Sequence, residues 1–141
     1  MQIIVTGHGN FGTGIESTVK LLAGSIPDVR YIDFSANMNE QELANKFEEL
    51  LQVDPKAVFF CDLIGGTPYK QAVYKKENYE VAVIAGCNVG SLLEVGLQNN
   101  LKDATDVHVI AQSLVEATKN GIQEFGVRKT QIIDESEEDG I

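Results

Sequence analysis

The chain has 141 residues, enough for one domain with its own apolar core and too few for two. Hydrophobic residues make up 43% and charged residues 23%, which excludes fibrous and largely disordered classes. Asp and Glu number 21 against 11 Lys and Arg, and this formal charge of -10 disfavours nucleic acid and anionic membrane surfaces as partners.

In chain order, short apolar runs rich in Val, Ile, Phe and Tyr at residues 3–6, 30–34, 57–61 and 80–85 predict four strands. Helical spacing separates them: Ile15, Val19 and Leu22; then Leu43, Phe47, Leu50 and Leu51; then Ala72 and Val73. This alternation predicts an α/β domain in which an open, doubly wound parallel sheet is covered by helices on both faces. A short helix is expected at 91–98. A longer one is expected at 106–125, burying Val107, Ile110, Ala111, Leu114, Val115, Ile122 and Phe125 and stopped by Gly126. Residues 127–133 mix β-branched residues with Arg128, Lys129 and Gln131 and suit an edge strand. We expect one domain over 1–133 and an acidic, solvated, mobile tail over 134–141.

Cys61 and Cys87 stand in apolar surroundings without CxxC spacing and read as buried small hydrophobes. No metal set, P-loop or stretch of about 18 apolar residues is present, and the apolar start is too short for a signal peptide. A cytoplasmic protein needing no metal or cofactor is expected.

Ligands of open parallel sheets gather beyond the carboxyl ends of the strands. Two unusual loops fall there, Thr6-Gly7-His8-Gly9-Asn10-Phe11-Gly12 and Cys61-Asp62-Leu63-Ile64-Gly65-Gly66-Thr67-Pro68. Glycines on either side leave the His8 imidazole open to a large partner, against the blander reading of a hydrogen-bonded structural histidine. Asp62 is placed to accept a hydrogen bond from one ring nitrogen and leave the other nucleophilic, or else it caps a loop. Thr67 is expected as N-cap and Pro68 as first residue of a helix whose free N–H groups, with Gly65, Gly66 and Gly9, would hold a phosphoryl oxygen. Met38 borders this edge from the loop after the second strand and is counted with Gly9, Gly65 and Gly66 as phosphate-binding. Phe11, Leu63 and Ile64 read either as a docking face or as core. His108 reads as structural or surface-exposed. Gly7, Gly9 and Gly12 also match GxGxxG, with Asp33 near the position of a ribose-binding acid, which keeps open a non-catalytic nucleotide-binding or regulatory module.

The strand leading into GHGNFGTG, the run FFCDLIGGTPYKQA and the segment AGCNVGSLLE together resemble the EIIA component of the mannose-family phosphoenolpyruvate:sugar phosphotransferase system (PTS). The resemblance covers nearly the whole chain. It implies a flavodoxin-like sheet of order 2-1-3-4, and a homodimer that exchanges a C-terminal antiparallel edge strand, here 127–133. It implies a phosphohistidine carrier in which phosphorylated HPr donates to Nε2 of His8, Asp62 bonds Nδ1 and Thr67 helps hold the phosphoryl group. EIIB is then the acceptor, on a separate polypeptide, serving a membrane EIIC/EIID complex to which the chain is peripheral. Ile64 stands where some members carry an aromatic residue, and Thr67 where many carry Ser. A related role is phosphoryl donor subunit of a dihydroxyacetone kinase. Sugar specificity belongs to the other components, so mannose, fructose, sorbose and amino sugars are all compatible.

Overall fold

Ile3, Ile4, Val5 and Thr6 form an unbroken apolar run of the kind that fits a strand covered on both faces. In the computed structural model, which describes residues 1–127, this run lies in β1 (Gln2–His8), buried along its length until His8 emerges at the end. There follow α1 (Phe11–Ala23), β2 (Val29–Phe34), α2 (Glu40–Val53), β3 (Lys56–Cys61), α3 (Thr67–Tyr74), a 3-10 turn (Lys75–Glu77), β4 (Glu80–Ala85), α4 (Val89–Gln98) and α5 (Val107–Asn120). The four strands are parallel, in the expected order β2-β1-β3-β4.

Alternating residues of each strand feed two cores. On one face Ile3, Val5, Val58 and Phe60 meet Val19 of α1, Leu92 of α4 and Val107, Ile110 and Leu114 of α5. On the other, Ile4, Ala57 and Phe59 meet Leu43, Phe47 and Leu51 of α2 and Ala72 of α3. The rings of Phe47 and Phe59 lie 4.8 Å apart at 58°, a tilted aromatic pair at the centre of that face. Helix α2 is started by a capping box. Asn39 Oδ1 accepts the Glu42 N–H at 2.8 Å and Glu42 Oε1 accepts the Asn39 N–H at 2.8 Å, satisfying two of the donors a helix start leaves unpaired.

Two expectations are corrected. Helix α5 ends at Asn120 rather than 125, because Asn120 and Gly121 are poor helix formers and the Gly121 N–H closes on the carbonyls of Ala117 and Thr118. Ile122 and Phe125, expected on the buried face, are therefore exposed, Phe125 completely. Helix α3 begins with Thr67 as its first residue, so Gly66 is the N-cap and Pro68 the second residue. The expected strand 127–133 lies outside the described residues except for Val127, which is half-exposed, and the acidic tail 134–141 lies wholly outside them.

Because β1 lies between β2 and β3, the crossovers from β1 and into β3 diverge at its carboxyl end, where the loops after β1, β2 and β3 meet. The packing also generates a stability prediction. Phe47→Ala removes a fully buried ring and should cost about 3–5 kcal/mol in urea unfolding, whereas Leu21→Ala on the exposed side of α1 should stay within about 0.5 kcal/mol. Equal losses for the two would contradict this assignment of the core.

Candidate functional site

Beta-strand pairing brings the two unusual loops together. Thr6 pairs with Cys61, and the Asp62 N–H continues the ladder by donating to the Thr6 carbonyl at 3.1 Å. The Asp62 side chain then turns back across β1. Its Oδ2 accepts the His8 backbone N–H at 3.0 Å and lies 2.8 Å from His8 Nδ1, while Oδ1 accepts the Leu63 N–H at 2.9 Å. Gly7 permits this return path, since a Cβ there would stand 2.8 Å from both Cβ and Cγ of Asp62 and from Cδ2 of Phe11.

The Asp62 side chain is only 12% exposed. Burial pushes its carboxyl upward, but the His8 N–H, the imidazole and the Leu63 N–H outweigh burial and hold it below the ordinary carboxylate value. It is thus ionised at neutral pH and can only accept, which places the shared proton on Nδ1, so that Nε2 is the nitrogen bearing the lone pair in the neutral form of the ring. The imidazole is 45% exposed, so Nε2 belongs to a ring that a partner can reach.

The imidazole rests over the start of α3. A Cβ on Gly66 would stand 2.6 Å from His8 Cε1 and 3.1 Å from Nε2, so any other residue there pushes the ring away. Thr67, one residue on, is half-buried and opens the helix, and no side chain caps that helix start. Gly65 (φ 85°) and Gly9 (φ 61°) turn the chain on either side. The remaining members of the predicted set divide. Leu63 and Ile64 are exposed, Ile64 by 77%, in the loop between Asp62 and Gly66. Phe11 instead packs inward on Gly7 and the core. Met38 folds back on its own loop, its sulfur accepting the Ser35 N–H at 3.5 Å while its side chain packs on the α2 core.

Asp33 does not present a free carboxylate. Its Oδ1 accepts the Thr13 N–H at 2.9 Å and its Oδ2 accepts the Thr13 hydroxyl at 2.7 Å, so it caps α1 from the end of β2. That occupies the helix start to which the GxGxxG reading would bring a pyrophosphate. Cys61 and Cys87 are pushed up to about 12, chiefly by burial and further by the charge on Asp62, and stay neutral thiols. His108 is exposed, its N–H donating to Asp106 Oδ1 at 2.9 Å. Among the described residues no three His, Cys, Asp or Glu side chains gather as metal ligands, and no helix is long and apolar enough to cross a membrane.

One neighbour of the imidazole escaped the sequence reading. Phe34, paired in register with His8 across β1 and β2, holds its ring 6.1 Å from the imidazole at 71°. The signal for it was the strand order, which sets the end of β2 against the end of β1.

The comparisons with known proteins bear on the family and the fold. Residues 2–111 match the family described as "PTS system fructose IIA component". The sorbose-specific EIIA component of Lacticaseibacillus casei is 30% identical over 105 residues, covering 71% of this chain and 75% of that protein. The fructose-specific EIIA component of Bacillus subtilis (strain 168) is 28% identical over 116 residues, covering 72% and 80%. The crystal structure of the phosphotransferase system component EIIA from Streptococcus agalactiae superposes with a TM-score of 0.80 at 27% identity, over 88% of this chain and 96% of that one. A family match over most of the chain, relatives of comparable length and a shared fold establish that this chain belongs to the EIIA-man family of phosphotransferase-system components.

Proposed function

We propose that this EIIA component carries its phosphoryl group on Nε2 of His8, taking it from phosphorylated HPr and passing it to EIIB for sugar uptake. The observation that carries the reading is the 2.8 Å contact of Asp62 with Nδ1, which leaves Nε2 as the nucleophilic nitrogen of a half-exposed ring. In the first transfer the Nε2 lone pair attacks phosphorus, the P–N bond to the donor imidazole breaks, and the donor ring leaves with the electron pair. The proton on His8 Nδ1 stays in place, and the ring gains positive charge that the ionised Asp62 neutralises. The second transfer reverses these roles, with the His8 imidazole as leaving group. Neither step needs an acid or a base; both need in-line approach, which suits a shallow, accessible site.

The Thr67 hydroxyl and the backbone amides at Gly66 and the start of α3 hold the phosphoryl oxygens, an arrangement supported by the closeness of Gly66 to Nε2 and by the uncapped helix start. Gly9 and Gly65 shape the loops around it, and Met38 serves from below as packing. Leu63 and Ile64 form the apolar docking face that HPr and EIIB use in turn, with Phe11 supporting it from the core side. With HPr as donor and EIIB as acceptor, the chain works in the cytoplasm, peripheral to the membrane through EIIC and EIID. The sugar-specific names of the relatives favour sugar transport over service to a dihydroxyacetone kinase. Two copies associate along the free edge of β4, a reading supported by the half-buried Val83, Ile84 and Ala85 on that edge and by the exposed Ile122 and Phe125, while the exchanged strand expected over 127–133 lies outside the described residues apart from Val127.

Incubation with phosphoenolpyruvate, enzyme I and HPr should yield an acid-labile, base-stable phosphoprotein, and His8→Gln should abolish the label; a fully labelled His8→Gln variant would falsify the assignment. Gly66→Ala should keep the circular dichroism of the parent but slow labelling on the order of 10- to 100-fold, because the new Cβ displaces the ring. For Asp62 the folded-state value lies below the unfolded value of about 3.9, so its stabilisation is full above roughly pH 5 and disappears as pH falls through the folded value. The stability gap between wild type and Asp62→Asn, measured by urea unfolding, should therefore be largest near neutrality and close in strong acid. A gap that stays constant across that range would count against an ionised, hydrogen-bonded Asp62.

A further inference from the structure

An imidazole that is 45% exposed has little packing to fix its plane, and the contact of Asp62 with Nδ1 pins a single ring atom. Coupled turns about Cα–Cβ and Cβ–Cγ would tilt the ring and carry Nε2 away from Gly66 while Nδ1 stays within reach of Asp62. Gly66 bars one side of the ring but, lacking a side chain, cannot grip it. The third contact comes from β2. Phe34 pairs with His8 in the parallel register, so both side chains rise from the same face of the sheet, and the two rings stand edge to face at 71° with centroids 6.1 Å apart.

Phe34 is itself firmly held. Its ring packs against the cluster built from Ile4, Leu43, Phe47 and Phe59, and its carbonyl accepts the Gly9 N–H at 2.8 Å, which ties the residue after His8 to the same strand. A ring seated on a packed core offers the exposed imidazole a rigid wall, which a flexible aliphatic chain would not.

We propose that Phe34 is a positioning residue for phosphoryl transfer, its ring fixing the plane of the His8 imidazole so that Nδ1 stays on Asp62 while Nε2 stays over the start of α3. Phe34 touches no reacting atom in this scheme and acts through the orientation of His8. The inference rests on His8 as phosphoryl acceptor.

The test uses Phe34→Leu and Phe34→Tyr in the full-length protein, with Ile32→Ala as a control that loosens the same strand two residues away. Nitrogen-15 NMR of the unphosphorylated protein reads the tautomer and the Asp62 contact of His8 directly, whether or not phosphorylation occurs. Phe34→Leu should lower the population of the Nδ1–H tautomer and slow single-turnover labelling by phosphorylated HPr roughly two- to tenfold. Phe34→Tyr, which keeps the ring, should restore both, and Ile32→Ala should leave the His8 signals unchanged despite lower stability. Wild-type imidazole signals and labelling rate in a folded Phe34→Leu variant overturn the inference, as does an Ile32→Ala variant that shifts the His8 signals equally. Absence of label on wild-type His8 overturns instead the acceptor assignment, and the NMR outcome then still decides whether Phe34 orients the ring.

Discussion

The site depends on one contact, the 2.8 Å approach of the Asp62 carboxylate to Nδ1 of His8, and that contact depends on two parallel strands being adjacent. Asp62 continues the β3 ladder through its own N–H to Thr6, then sends its carboxylate back over Gly7 to both nitrogens of His8 that face it, backbone and ring. A side chain at position 7 would close this path, and a shift of register would move the carboxylate to the other face of the sheet. The chemistry of the imidazole is therefore set by secondary structure rather than by a flexible loop.

Burying a carboxylate is costly unless its oxygens are satisfied, and here three N–H groups supply the compensation. Two thiols nearby are kept neutral by the same burial, and the charge on Asp62 itself makes their ionisation harder still. The Asp62 anion consequently sits behind the imidazole, where it would match the one positive charge of a ring phosphorylated on Nε2. With its Nδ1 side so occupied, the ring has its free nitrogen on the side open to a protein partner.

Much of this was legible before any coordinates. The apolar runs at 3–6, 30–34, 57–61 and 80–85 became β1 to β4, because fully covered parallel strands leave long hydrophobic stretches that no surface helix shares. His8 and Asp62 were readable as a pair because both follow such runs, and strand ends in this architecture converge. What stayed hidden depends on contacts distant in sequence. The hydrophobic spacing past Asn120 looked helical and misled, since Ile122 and Phe125 fit the period while Gly121 ended the helix. Phe34 gave no sign of its place beside His8, because an aromatic residue at the end of an apolar run reads as core. Asp33 looked like a ligand acid, and only the fold set Thr13 against it.

That last pairing bears on where an anion can bind. Among the helices that start at the carboxyl edge of the sheet, α1 and α3 follow the strands that lead to His8 and Asp62, and each start offers N–H groups and a positive dipole end. Neither helix has an acidic residue in its own first turn. At α1, however, Asp33 reaches across from β2 and takes the Thr13 N–H and hydroxyl, so that start already holds its negative charge. At α3 the N-cap is Gly66, which supplies no capping side chain, and the atom brought closest is the imidazole of His8. A phosphoryl group on Nε2 would meet repulsion towards α1 and open donors towards α3. Direction thus comes from an asymmetry in capping: one helix start is closed by a carboxylate from a neighbouring strand, and the other is kept bare by a glycine that also makes room for the ring.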